Sequence, residues 1–146
     1  MKIVLLAVGK QKSAGGFREM ERFYCDRIKV FAKIEIVELK EGRSVAEDTA
    51  QIERFLPSTG SFVVALREEG ASFDSRNFAA ILRRERDAAH DMVFVVGGPY
   101  GLGDIGEHLA LSVAPWTLNH LLARIVLLEQ IYRAFSILSG GKYHHA

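Results

Sequence analysis

The sequence predicts an α/β protein: a mostly parallel sheet flanked by helices, folded as one domain over residues 1–146. Apolar runs too continuous for half-exposed strands recur at 2–8 (KIVLLAV), 61–66 (SFVVAL) and 92–96 (MVFVV). They alternate with stretches whose apolar residues fall three and four apart, the spacing of a helix face. The apolar runs also empty into glycines or charged residues, which places candidate ligand loops at strand ends.

In chain order, the strand at 2–8 ends at Gly9, and the polar run Lys10 to Gly16 reads as a loop. From Phe17, the residues Phe17, Met20, Tyr24, Ile28 and Phe31 form a stripe on a helix expected to cover the sheet. Ile34, Ile36 and Leu39 alternate with charged residues, as in a strand near the sheet edge. Ser44 with Glu47 fits a capping box opening a helix that Pro57 stops. The strand at 61–66 gives way to a charged turn, Arg67 to Gly70. A helix capped by Asp74 or Ser75 follows, with Phe78, Ile81 and Leu82 inward. Its outer Arg83, Arg84 and Arg86 interleave with Glu85 and Asp87, which favours a solvated face over an RNA patch.

The run Met92 to Val96 reads as the central strand and stops in the glycine loop Gly97 to Gly103. There a ligand approaches backbone with no Cβ in the way. Asp104 with Glu107 suggests a brief capped helix, and Leu111 to Val113 a last strand. The longest helix runs from Asn119 or His120 to Leu138 and ends at Gly140 and Gly141. Leu121, Leu122, Ile125 to Leu128, Ile131, Tyr132, Phe135 and Leu138 occupy more than one of its faces, a surplus that points to burial against a second copy of the chain.

Composition narrows the function. With 19 Lys plus Arg against 18 Asp plus Glu, the net charge of +1 gives no broad basic face, so any RNA contact is local or shared between subunits. The lone Cys25 excludes an internal disulfide and reads as a core side chain of a reducing, cytoplasmic compartment. Ile3 to Val8 is too short for a signal segment, and His120 and Arg124 interrupt the apolar run Leu118 to Leu128, so no membrane span is expected. Gly101, Gly103 and Gly106 spell G-x-G-x-x-G, but Gly97 already occupies the turn after the strand, which argues against a dinucleotide fingerprint. The five histidines have no metal-ligand spacing, and no metal is expected.

The strings KIVLLAVGK, FVVGGPYGL, LSVAPWTLNHLLARIVLLEQIYRAFSIL and the closing KYHH, in that order, resemble the ribosomal RNA large-subunit methyltransferase H family of the SPOUT superfamily over essentially the whole chain. The resemblance implies a SPOUT-like fold with a C-terminal trefoil knot, a homodimer, and S-adenosyl-L-methionine as methyl donor. It implies donor-binding positions at Leu66, Gly97, Gly98, Val113, Ala114, Pro115, Trp116, Thr117 and Leu118. The implied substrate is a pseudouridine of large-subunit ribosomal RNA, methylated on ring nitrogen N(3) in the assembled ribosome. Tyr143, His144 and His145 are the implied substrate contacts, with His144 a candidate proton acceptor because an imidazole titrates near neutral pH.

This sequence departs from the family pattern at Ala114, where serine is common, and at Asn119 and Lys142, where proline is common. A cofactor held by main-chain groups tolerates such changes. Two rival classes follow from the same residues: a ribosome-binding factor that does not catalyse, and a dinucleotide-dependent oxidoreductase. Retained nicotinamide or flavin marks the second, and binding to large subunits without methylation marks the first.

Overall fold

A computed structural model describes residues 1–145. Its elements are β1 (Lys2–Val8), α1 (Phe17–Ile28), β2 (Lys33–Leu39), α2 (Val45–Phe55), β3 (Ser61–Ala71), α3 (Ser75–Asp87), β4 (Asp91–Val96), β5 (Leu109–Leu111) and α4 (His120–Leu138), with one 3-10 turn at Ala14–Gly16. The five strands form one sheet in the order β2-β1-β4-β3-β5. All four pairings are parallel. The α/β reading, the central place of the Met92 strand and the edge place of the Ile34 strand all hold.

The pleat sends alternate residues to opposite faces, and each face carries its own core. Ile3, Leu5, Met92, Phe94 and Val96 join residues of α1, α3 and α4 in one core. Leu6, Val8, Val93 and Val95 meet Ile52 of α2 and Ile105 in the other. The connections β1-α1-β2 and β3-α3-β4 step one strand in the same direction over the first face. The connections β2-α2-β3 and β4 to β5 step the other way over the second, so every crossover shares one hand, as parallel units require.

Caps fall where the polar residues predict them. Ser44 Oγ accepts from the Glu47 amide. Asp74, rather than Ser75, caps α3 by accepting from the Asn77 amide. Asn119 accepts from the Leu121 amide.

Four expectations need correction. The inward side of α1 is Glu21, Cys25 and Ile28, whereas Met20 and Phe31 are 44% and 40% exposed. Glu21 goes inside because it meets the buried Arg124 guanidinium. The residues Arg67 to Gly70 do not end β3. Leu66 and Ala71 both pair with Leu111, so the four residues between them bulge out of a ladder that then resumes. Gly70 is required there, because a Cβ would lie 2.7 Å from the Ala110 carbonyl carbon. No helix forms at Asp104 to Glu107, since the Asp104 carboxylate accepts from the Gly106 amide in a tight turn and Glu107 pairs with Arg67. The last strand lies at Leu109–Leu111 rather than 111–113.

The apolar surplus of α4 is largely absorbed within the chain. Leu121, Ile125, Leu127, Leu128, Ile131 and Phe135 are all buried, because α4 lies against the sheet between α1 and α3. The half-buried Tyr132 and Leu138 pack against the same core, and Leu122, 38% exposed, and the half-buried Val126 remain on the outer side of the helix. Among the described residues no helix is long and apolar enough to cross a membrane.

Candidate active site

Beyond the carboxyl ends of β3, β4 and β5 lies a cavity of about 340 Å³. That is the end of a parallel sheet where ligands are held, and the volume lies within the range of small-molecule sites, roughly 300–1,000 Å³. Three chain segments build it. The bulge in β3 supplies Leu66 to Glu69, the loop after β4 supplies Gly97, Gly98 and Tyr100 to Leu102, and the segment after β5 supplies Ser112 to Ala114, Trp116 and Leu118. His120 and Ala123, in the first turn of α4, close one wall.

Of the residues nominated from sequence, Leu66, Gly97, Gly98, Val113, Ala114, Trp116 and Leu118 meet around this cavity. Pro115 and Thr117 lie in the same segment, exposed, and are not part of the lining. Trp116 is 79% exposed at the mouth. Arg67, Glu68, Glu69 and Tyr100 lie in the strand-end segments that the sequence marks as candidate ligand loops, though none of them stands out there individually, and they line the cavity. Sequence reasoning missed His120, which reads only as the start of the longest helix. His120 is held below the usual histidine value by burial, reinforced by Arg124 and Lys12 and opposed by Glu41, so it faces the cavity as a neutral imidazole near pH 7.

Close packing shapes the glycine loop. A Cβ on Gly97 would stand 2.9 Å from Leu102 Cγ and 3.0 Å from the Gly101 carbonyl carbon, so the loop folds directly over Gly97. Gly98 and Gly101 pair as an antiparallel bridge, and the Gly101 amide donates to the Gly98 carbonyl at 3.0 Å. The Arg67 guanidinium donates to the Leu102 carbonyl at 3.1 Å, to the Gly103 carbonyl at 2.6 Å and to the Glu107 carboxylate. The G-x-G-x-x-G letters therefore lie in a loop running to β5 and opening no helix, so they provide no helix N-terminus for a pyrophosphate.

The C-terminal tail packs elsewhere. The Tyr143 hydroxyl donates to Glu129 at 3.1 Å, its ring lies 4.6 Å from that of Tyr132, and the Arg133 guanidinium sits 4.6 Å over it. Burial, then the Glu129 hydrogen bond, push the Tyr143 phenol well above its ordinary value, so it is a donor and a stacking surface rather than a base. Arg133 Nη1 lies 3.2 Å from His144 Nδ1. A guanidinium only donates, so Nδ1 accepts there and the proton of a neutral imidazole sits on Nε2, which is buried without a partner among the described residues. His145 is exposed. Arg133 is ten residues along α4 from Ala123, about 15 Å at the helical rise, so the tail and the cavity of one chain are well separated.

Among the described residues no three His, Cys, Asp or Glu side chains cluster in a way that could hold a metal ion. The fold and cavity define a parallel α/β protein with a ligand cleft beyond its strand ends. A family model described as predicted SPOUT methyltransferase matches residues 1–144. The chain is 37% identical to a protein named ribosomal RNA large subunit methyltransferase H from Gemmatimonas aurantiaca, over 99% of both chains. It is 39% identical to proteins of the same name from Syntrophotalea carbinolica, over 99% of both chains, and from Allorhizobium ampelinum, over the full length of both. The chain belongs to the SPOUT methyltransferase family.

Proposed function

We propose that residues 1–146 act as one SPOUT methyltransferase unit that transfers a methyl group from S-adenosyl-L-methionine to N(3) of a pseudouridine in large-subunit ribosomal RNA. The reading includes a cytoplasmic homodimer, the assembled ribosome as the RNA partner, and the C-terminal trefoil knot of the family. The observation that carries it is the convergence of Leu66, Gly97, Gly98 and the 113–118 segment on one cavity, in a chain whose full-length relatives are named ribosomal RNA large subunit methyltransferase H.

The lining fits such a donor. Backbone groups of the glycine loop and of residues 112–114 offer hydrogen bonds without bulky side chains, while Leu66, Leu102 and Leu118 offer apolar surface. Ala114 removes a side-chain hydroxyl without removing a main-chain contact. When bound, the donor supplies a methyl group on a sulfonium that departs as a neutral thioether. The chain's contribution is placement: the cavity walls orient the donor and exclude water, and the tail positions the acceptor base. Tyr143 stacks on the base, and His144 takes up the N(3) proton, which requires its Nδ1 to part from Arg133. His145 meets phosphate.

The separation of tail and cavity supports the homodimer in this reading. Because the tail of one chain sits about 15 Å along α4 from its own cavity, a second copy is what brings Tyr143 and His144 over a bound donor. The outer residues Leu122 and Val126 of α4 are the apolar surface for that contact.

Titration calorimetry with S-adenosyl-L-methionine, beside methylation of large subunits lacking the modification, tests the proposal. Stoichiometric binding and methyl transfer to N(3) are expected. Binding to subunits without methyl transfer returns the protein to the non-catalytic class, and sedimentation as a monomer at micromolar concentration removes the shared site.

A further inference from the structure

We infer that Arg67 is a positioning residue for the methyl donor, acting by latching the glycine loop shut against β3. The inference rests on the reading of the cavity as the donor site. Arg67 follows Leu66 at the point where β3 bulges out of its ladder with β5. The bulge brings its side chain over the loop after β4, where one guanidinium engages three partners: Glu107, the Leu102 carbonyl and the Gly103 carbonyl. Both ends of the ion pair are withdrawn from solvent, with side-chain exposures of 15% for Arg67 and 13% for Glu107.

The latch reaches the cavity wall through Leu102. That residue lines the cavity, and its side chain packs where a Cβ on Gly97 would otherwise lie. Holding the Leu102 carbonyl therefore sets how closely the loop closes over Gly97 and Gly98. On its other side the loop rests against α2, since a Cβ on Gly103 would collide with Thr49 Oγ1 at 2.5 Å. The segment 97–103 is thus held between Arg67 and α2. A planar fork suits this task, because three acceptors in fixed directions match its geometry and a lysine ammonium reaches only some of them together.

Without the guanidinium, two part-buried carbonyls and the Glu107 carboxylate lose their donor, and the loop must rearrange to find water. A donor binding to a loose loop must first order it, which lowers affinity and leaves the chemistry of the correctly bound complex intact.

The test compares the full-length wild type with Arg67→Met, Arg67→Lys and Glu107→Gln by calorimetry with S-adenosyl-L-methionine, thermal melting, and methylation kinetics on large subunits. Arg67→Met is expected to raise the donor KM about tenfold or more, as loss of a charge-assisted contact and its neighbours would. Its kcat at saturating donor stays within about twofold of wild type, because the interaction lost is one of binding. Arg67→Lys recovers part of the loss, and Glu107→Gln, which keeps an acceptor for Nε, shows a smaller rise. An Arg67→Met protein that melts like wild type and has an unchanged donor KM overturns the inference. So does a fall in kcat with the donor KM unchanged. If Arg67→Met does not fold, equal donor KM values for Arg67→Lys, Glu107→Gln and wild type overturn it in the same way. Failure of the wild type itself to bind the donor refutes the underlying reading of the site and is separate from all of these.

Discussion

Arg124 Nη2 stands 3.0 Å from a carboxylate oxygen of Glu38, with the Glu21 carboxylate equally close on another side. The guanidinium is 1% exposed, and Gln11 completes the cluster by donating to Glu21 and to the Leu121 carbonyl. One buried cation thereby joins α4 to α1, β2 and the loop after β1. Arg124→Met is expected to destabilise the protein by about 3–5 kcal/mol, because two part-buried carboxylates lose the countercharge they share. Urea unfolding measures the loss, and adding Glu21→Gln to the variant should recover part of it.

Substitution at Gly97 is expected to impair donor binding through the loop rather than by filling the cavity. Its φ is not in the left-handed region, so the barrier is contact: a Cβ meets Leu102 and the Gly101 backbone at 2.9 and 3.0 Å. Gly97→Ala should weaken S-adenosyl-L-methionine binding measurably and Gly97→Val should remove it, in proteins whose circular dichroism matches wild type. Unchanged affinity in a folded Gly97→Val protein counts against the site.

Deleting residues 142–146 separates binding from catalysis. Residues 142–145 do not line the cavity, so donor affinity should stay near wild type. Methylation should fall below about one per cent, since a positioned acid or base contributes 10² to 10⁴-fold and misplacement of the acceptor adds to the loss. Wild-type turnover by the truncated enzyme would remove Tyr143 and His144 from the reaction.

The Arg67–Glu107 pair also makes stability depend on pH. The Arg67 hydrogen bond holds the Glu107 carboxyl below its ordinary value of 4.5, against the opposing effect of burial. A carboxyl depressed in the folded state contributes its stability above about pH 4.5 and loses it as the pH falls through the lower folded value. Glu107→Gln should therefore cost about 1 kcal/mol at pH 7 and progressively less below pH 4.5. Urea midpoints for both proteins at pH 7, 5 and 3.5 check this, and a gap that widens towards acid contradicts it.

The strands at Lys2–Val8 and Asp91–Val96 were legible because burial on both faces leaves an unbroken apolar run. The cap Ser44 was legible, and that of α3 to within Asp74 or Ser75, because each polar side chain closes its own first turn, whereas Asn119 was read only as a possible helix start. What escaped depends on partners remote in sequence. Glu21 reads as an outward charge until Arg124, about a hundred residues later, accounts for its burial. Arg67 reads as the start of a turn until the carbonyls of Leu102 and Gly103 arrive above it. The strand-end loops were legible where apolar runs empty into glycines or charged residues, and the structure brings them around one cavity; only their donor role rests on family resemblance. The tail's contacts with Glu129 and Arg133 carry no periodic signal at all.

The position of α4 has a consequence for how the chain is made. Its side chains cover Ile3, Leu5, Met92 and Phe94, strand residues synthesised well before it, and His120 and Ala123 close the cavity. A nascent chain that has reached only the 112–118 segment has one sheet face without that cover and a cavity without one wall. Folding to the active form must then wait for α4 to leave the ribosome, and any chain cut short before His120 carries exposed apolar surface that favours aggregation.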